Sequence, residues 1–197
     1  PLHLVLAKKD ATYDELLASL PQAAERLVAN DVLADTEDKE DHTFCGIMFT
    51  MEAIDRLPML FVEIQALSVR GRLGRVSVYT TEKDYQSKFE NASAWRRVYG
   101  PTNLRPSHTE FVELPFTSPV RLAPGMTASF YVHSEAVGDE AIVYSNQHSP
   151  ITYEDDSIRI FPGMAHVSNV PFNRFGDWGI AWRPRRAFVG RVRYGVK

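Results

Sequence analysis

The pattern of apolar and polar positions changes near residue 44. From there onward, short apolar or alternating runs are separated by turn residues such as Pro, Gly, Asn and Asp. Runs of this kind, at spacings of roughly 8–15 residues, are typical of strands in an antiparallel sandwich or barrel. We therefore predict about nine or ten strands and a mainly β fold, an antiparallel two-sheet β-sandwich of the jelly-roll type.

Residues 44–53 form an apolar run that is rich in aromatic and sulfur side chains. Polar segments bound it on both sides, which indicates a strand buried on both faces. Gly46 within the run predicts a bulge or a close approach by another backbone. The only cysteine, Cys45, is interpreted as a small buried side chain, since no basic residue stands directly beside it to lower the pKa of its thiol. The side chains that we expect in the core of the sandwich include Phe49, Val78, Phe130 and Val143.

Residues 1–43 show a helical and acidic pattern instead. Two capping boxes begin at Thr12 and Ser19, and apolar residues follow each of them at helical spacing. This pattern predicts two short helices, or one kinked helix, within residues 12–30, followed by an acidic connector over residues 31–43. Because short helices are marginal in water, we expect them to pack on the sandwich or on a partner.

The chain is thus predicted to consist of a helical, acidic N-terminal extension, residues 1–43, and a β-sandwich domain, residues 44–197. The net charge of −3 conceals ten acidic residues in the extension and seven basic residues within residues 173–197. These opposite charges are expected to attract each other across the fold or to serve as docking surfaces. Nucleic acid is disfavoured as a partner, since the net charge is negative and no binding motif accompanies the basic residues.

Five segments in a fixed order resemble a group of β-sandwich modules. They are GIMFTMEA at 46–53, VEIQAL at 62–67, VSVYTTEKDYQS at 76–87, SAW at 93–95 and FVGRVRY at 188–194. In this order they are similar to the PHR domain, and they look closest to modules common in diatom and other algal proteins. The resemblance covers about residues 44–196 and implies a β-sandwich that acts as a non-catalytic interaction module.

Motifs for catalysis or metal binding are absent from the sequence. The six histidines are scattered without metal-ligand spacing, and no HExxH, CxxC or G-x-S-x-G pattern occurs. We therefore predict no catalytic residue, no metal, no cofactor and no enzymatic activity. No apolar run approaches the ~18 residues that a transmembrane helix needs. Pro1 in place of a start methionine indicates a trimmed or processed chain, and favours an organelle lumen or an extracellular location.

The strongest functional signal is a group of aromatic and arginine side chains in and beside a loop predicted over residues 162–182. The candidate binding residues are Phe172, Arg174, Phe175, Trp178, Trp182, Arg183 and Arg185. Loops concentrate binding residues, and Trp and Arg are enriched at the hot spots of protein interfaces. In the alternative interpretation, the rings fold inward and cap the end of the sandwich.

Two functions follow from this group of side chains. The first is a module that docks a protein partner, as an accessory subunit of a larger assembly. The second is a carbohydrate-binding module that uses Trp178 or Trp182 as a stacking platform. A flat, exposed surface of aromatic and arginine side chains would favour a protein partner. A groove with one ring and nearby Asp or Asn side chains would favour a glycan.

Overall fold

The computed structural model describes residues 29–56 and 58–197, which form two antiparallel sheets packed face to face. The predicted mainly β, sandwich-like fold is confirmed. The capping boxes and apolar stripe of the predicted helices, within residues 12–28, lie outside the described residues.

Fifteen strands and a single turn of 3-10 helix make up the described part of the chain. The strands are β1 (Ala29–Asp35), β2 (His42–Phe44), β3 (Gly46–Ala53), β4 (Val62–Gly71), β5 (Gly74–Glu82), β6 (Arg96–Leu104), β7 (Ser107–Leu122), β8 (Thr127–Ser134), β9 (Ile142–Asn146), β10 (Tyr153–Glu154), β11 (Ile158–His166), β12 (Phe175–Gly176), β13 (Gly179–Ile180), β14 (Trp182–Phe188) and β15 (Arg191–Val196). The 3-10 turn spans Ala92–Ala94.

The smaller sheet has the strand order β1-β15-β4-β7. The larger sheet has the order β2-β9-β14-β11-β3-β8-β5-β6. The short strand β10 is outside this order and pairs with β11. Strands β12 and β13 form a separate two-stranded hairpin. The main core lies between the two sheets and contains the predicted core residues Phe49, Val78 and Phe130. The fourth predicted core residue, Val143, is also buried.

The apolar run that the sequence singles out becomes β3, in the interior of the larger sheet between β11 and β8. Phe49 stacks on Phe188 and Phe130, with ring centroids 4.2 and 6.0 Å apart respectively. A Cβ atom on Gly46 would lie 2.6 Å from the carbonyl oxygen of Val132, which confirms the predicted close approach of another backbone. Burial on both faces explains why this run lacks the alternation of a half-buried strand.

The acidic connector predicted over residues 31–43 begins instead with a strand, since β1 pairs antiparallel with β15 at the edge of the smaller sheet. The carboxylate of Asp35 lies 2.8 Å from the guanidinium of Arg191. That of Asp31 lies 3.2 Å from the guanidinium of Arg193. The expected attraction between the acidic and basic parts of the chain is therefore observed, and it holds two neighbouring strands together.

The next acidic residues are also attached to the sandwich. Arg70 is buried, forms ion pairs with Asp38 and Asp41, and donates a hydrogen bond of 2.7 Å to the carbonyl of His108. Strand β2 then joins the edge of the larger sheet. The described part of the predicted extension, residues 29–43, is therefore built into the two sheets, in place of a domain boundary at residue 44.

The loop predicted over residues 162–182 is shorter than expected. Strand β11 continues through Pro162 and Gly163, where its register against β3 and β14 shifts. A Cβ atom on Gly163 would lie 1.7 Å from the carbonyl oxygen of Met48, so glycine is required where these strands pack. The two residues that signal a turn in the sequence instead form a bulge within a strand, and the connection to β14 covers residues 167–181.

Candidate functional site

A second cluster of buried side chains lies on the outer face of the larger sheet. Successive residues of a strand point to opposite faces, so Met48 and Tyr131 face outward while their neighbours Phe49 and Phe130 fill the main core. The members of this outer cluster are Met48, Tyr85, Trp95, Tyr131, Phe172 and Trp182. Two candidate binding residues, Phe172 and Trp182, are therefore buried, as in the alternative interpretation, but they cover the outer face of the larger sheet.

Two buried histidines fasten the segment 167–174 over this cluster. The carbonyl of Asn173 accepts from Nε2 of His166 at 2.9 Å, and the carbonyl of Ser168 accepts from Nε2 of His133 at 3.0 Å. Because a carbonyl can only accept, both Nε2 atoms carry a proton. Nδ1 of His166 then accepts from the hydroxyl of Tyr131 at 2.7 Å.

The electrostatics of this network favour neutral side chains. Burial lowers the pKa of His166 to about 4 and that of His133 to about 3. Burial also raises the pKa of Tyr131 well above its ordinary value. The three groups are therefore uncharged at neutral pH. Their hydrogen bonds hold the segment 167–174 over the outer cluster.

The buried thiol of Cys45 contacts two backbone carbonyls in the same region. Its single thiol hydrogen is shared between the carbonyl oxygens of Val167 and Gly138, which lie 3.0 and 3.2 Å from Sγ. Burial raises the pKa of the thiol to about 11, so Cys45 is a protonated, buried group, as the sequence predicts. Through these two contacts it holds the segments around residues 138 and 167 beside each other.

The hairpin of residues 175–180, formed by β12 and β13, projects from this end of the sandwich. Phe175 pairs with Ile180 and Gly176 with Gly179, so the apolar pair and the glycine pair lie on opposite faces of the hairpin. On the glycine face, Gly176 lies against the body of the protein, since a Cβ atom there would lie 3.6 Å from the backbone nitrogen of Ser168, whereas a Cβ atom on Gly179 would meet no atom within 4 Å. The apolar face therefore points away from the body.

Three large apolar side chains of this hairpin are exposed to solvent. The exposed fractions are 58% for Phe175, 61% for Trp178 and 59% for Ile180. The backbone around them is well paired, since Ala181 donates to the carbonyl of Arg174 at 2.9 Å and its own carbonyl accepts from Val167 at 2.8 Å. The exposed side chains thus stand on a hydrogen-bonded framework.

The candidate arginines take different positions around the hairpin. The guanidinium of Arg174 lies 5.5 Å from the ring centroid of Phe175 and 3.8 Å from the carboxylate of Glu90. Arg183 donates to the carbonyl of Ile180 at the base of the hairpin. Arg185 lies further along β14, where its carbonyl accepts a hydrogen bond from the backbone nitrogen of Gln147, directly after β9. Arg174 and Arg183 therefore flank the hairpin, while Arg185 belongs to the sheet.

A groove of about 310 Å³ lies between the hairpin, the start of segment 167–174 and the connection after β8. Its polar side chains come from Asp139, Ser168, Asn169 and Asp177, and its ring comes from Trp178. The indole of Trp178 meets the ring of Phe44 edge-on, with centroids 6.4 Å apart. Two carboxylates, an amide and a hydroxyl therefore line the groove beside one aromatic face.

The sequence predicts part of this site and misses the rest. Trp178, Phe175 and Arg174 are exposed candidates that the structure brings together. Asp139 and Asn169 were not candidates, because they come from separate connections and carry no motif of their own. Only the fold, with the thiol of Cys45 bonded to both segments, places these connections beside the hairpin.

Within residues 29–56 and 58–197, no group of three or more His, Cys, Asp or Glu side chains is placed to hold a metal ion. In the same residues, no helix has the length and apolar character to cross a membrane. No protein-family model matches the chain, and no curated protein matches it. The resemblance to PHR-type modules therefore stays a prediction, whereas the sandwich-like fold that it implies is the one observed.

Proposed function

We propose that this chain is a non-catalytic binding module that docks a protein partner through the hairpin of residues 175–180. The observation that supports it is the exposure of Phe175, Trp178 and Ile180 on one short, well-paired hairpin. Exposed apolar side chains are common singly, whereas a group of them marks an interaction surface.

The chemistry of the surface defines the kind of partner. Aromatic side chains and arginine are enriched at the centres of protein interfaces, and Arg174 and Arg183 flank the rings here. We infer an apolar partner surface with acidic residues at its rim. Because the hairpin is already held by backbone hydrogen bonds, little ordering entropy is lost when it binds.

A capture experiment with matched variants tests this proposal. The hairpin variant carries Phe175→Ser, Trp178→Ser and Ile180→Ser. The control carries Leu33→Ser and Leu60→Ser, two exposed leucines outside the hairpin. Proteins retained from a lysate of the source cells are quantified by mass spectrometry, and direct binding is then measured with the purified partner.

We expect the partner to bind the wild-type chain and the control, and to be lost from the hairpin variant. All three proteins should melt within a few degrees of one another, because the substituted side chains are exposed. The same retained set for the wild type and the hairpin variant would refute docking through the hairpin.

The groove supports a second candidate function, the binding of a glycan. It combines the exposed ring of Trp178 with Asp139, Asn169 and Asp177, an arrangement that suits stacking of a sugar ring and hydrogen bonding to its hydroxyls. A glycan array followed by calorimetry tests this function. Asp139→Asn should abolish glycan binding and leave protein docking intact, whereas Phe175→Ser should do the reverse.

A further inference from the structure

A cleft of about 650 Å³ lies at the opposite end of β8 from the hairpin. Ala128, near the start of β8, lines this cleft, whereas His133, near the end of β8, is bonded to Ser168 beside the hairpin groove. The cleft and the hairpin site are therefore separated by most of the length of a strand. A ligand in the cleft is independent of the function proposed above.

The cleft forms where the edge strands of the two sheets part. Strand β6 ends the larger sheet and β7 ends the smaller one. The hydroxyl of Thr117 on β7 donates to the carbonyl of Val98 on β6 at 3.1 Å, which ties the two edges together. Beyond this tie the strands separate, and Arg96 and Val120 line the opposite walls. The cleft therefore lies to one side of the contact between Thr117 and Val98, and neither of these two residues lines it.

The floor of the cleft is apolar. Val120, Leu122 and Ala128 line it, and all three are buried in the sandwich. The hydroxyl-bearing side chains of Thr81 and Thr127 stand beside them. The floor can therefore cover the apolar part of a ligand without burying a charge.

The rim of the cleft carries more positive than negative charge. Lys88, Arg96 and Arg121 line it, and Glu82 is the acidic lining residue. The ammonium group of Lys88 donates to the backbone carbonyl of Glu82, which holds it at the rim. Arg121 is bonded to Glu63 at 2.8 Å, and the exposed guanidinium of Arg96 projects from the start of β6. The rim therefore favours a negatively charged group on the ligand.

We propose that this cleft binds a small amphipathic carboxylate, with its apolar body on the floor and its carboxylate between Lys88 and Arg96. A volume of about 650 Å³ lies within the range of small-molecule pockets. An extended acidic peptide fits less well, because it would pair with the outer edge of β7, which among the described residues is the last strand of the smaller sheet. That edge contains Pro115 and Pro119, which have no N–H group to donate.

Calorimetric titration with decanoate and with decanol tests the proposal, since the two probes share an apolar body and differ in charge. We expect decanoate to bind saturably. Decanol should bind at least about tenfold more weakly. Decanoate binding should weaken as salt is added, because the charged rim is open to solvent. No saturable binding of decanoate, or equal affinity for the two probes, overturns the proposal.

Two variants and one control locate the binding. Arg96→Glu reverses a rim charge and should weaken decanoate binding about tenfold or more. Arg97→Glu is the matched control, since this neighbour on β6 points to the other face of the sheet and should change the affinity by less than about twofold. Ala123→Trp, on the exposed turn that borders the cleft, should fill the space and abolish binding. An unchanged affinity for Ala123→Trp, or equal effects of the two arginine variants, places the decanoate elsewhere and overturns the proposal.

Discussion

The imidazole of His166 is stacked on the indole of Trp182, with ring centroids 3.9 Å apart and an interplanar angle of 24°. His166 has no exposed surface, and its Nε2 donates to the carbonyl of Asn173. The sequence predicts Trp182 as a binding residue, yet this stack uses its ring to support a neutral imidazole. The exposed tryptophan at this site is Trp178, four residues earlier in the sequence.

The first prediction is a loss of stability in mild acid. A histidine in the unfolded chain titrates near 6.5, whereas burial lowers the pKa of His166 to about 4 and that of His133 to about 3. Between these values the unfolded chain binds protons that the folded chain does not, so the free energy of unfolding falls as the pH drops below about 6.5. At about 1.4 kcal/mol per pKa unit, His166 alone accounts for roughly 3 kcal/mol over this range.

Urea unfolding at pH values between about 7 and about 4 measures this effect. His166→Gln should be less stable than the wild type at neutral pH and should show a flatter dependence on pH. His108→Gln removes an exposed histidine and serves as the control, so its curve should follow that of the wild type. A wild-type stability that stays constant across this range would contradict the prediction.

The second prediction concerns two phenylalanines in different environments. Phe49 is fully buried between Phe130 and Phe188, so Phe49→Ala should cost about 3–5 kcal/mol of unfolding free energy. Phe175 is more than half exposed on the hairpin, so Phe175→Ala should change the stability by less than about 0.5 kcal/mol. Chemical denaturation compares the two directly. A loss below about 1 kcal/mol for Phe49→Ala would mean that its ring is not part of a packed core.

The third prediction compares two glycines. A Cβ atom on Gly163 would lie 1.7 Å from the carbonyl oxygen of Met48, which cannot move without displacing β3. The nearest atom to a Cβ atom on Gly176 would lie at 3.6 Å, an ordinary contact. Gly163→Ala should therefore cost about 3 kcal/mol or more, at or beyond the upper end of usual overpacking, while Gly176→Ala should be tolerated. Equal melting temperatures for the two variants would contradict the close approach of β11 and β3.

These positions show which parts of the fold follow from the sequence. The apolar run of β3 and the core residue Phe49 are predictable, because continuous burial leaves a continuous apolar pattern. Strand β1 is not, since its acidic side chains resemble a solvated connector until Arg191 and Arg193 are placed beside them. The bulge at Gly163 is missed for a similar reason. Pro and Gly in a sequence indicate a turn, whereas here the pairing of β11 with β3 continues the strand on both sides of them.

The candidate site is predictable to a similar degree. Composition locates an aromatic and arginine-rich segment, and the hairpin lies within it. Composition does not distinguish Trp182, which is buried in the outer cluster, from Trp178, which is exposed in the turn of the hairpin, because burial depends on which of them belongs to a strand of the larger sheet. Asp139 joins the groove only through the fold, so no local pattern could have indicated it.

The last prediction tests whether β1 belongs to the sandwich. Its Ala34 is buried, and its acidic residues pair with arginines of β15. Directly after β1, the hydroxyl of Thr36 accepts from the backbone nitrogen of Gly190 at 2.9 Å, and the backbone nitrogen of Thr36 donates to the carbonyl of Gly190 at 3.0 Å. Removing residues 1–36 would break these contacts and expose the edge of β15 to pairing with other chains.

We therefore expect the chain that lacks residues 1–36 to melt at a lower temperature than the chain that lacks residues 1–28, which keeps β1. The chain that lacks residues 1–36 should also aggregate when it is concentrated, since an unpaired strand edge is a template for intermolecular sheets. Thermal melts and light scattering on the two truncations provide the measurements. Thr36→Val in the full chain gives a milder test, because it removes the hydroxyl contacts to Gly190 and keeps the strand. If both truncations melt together and stay monomeric, β1 contributes nothing to the sandwich, and its pairing with β15 does not persist in solution.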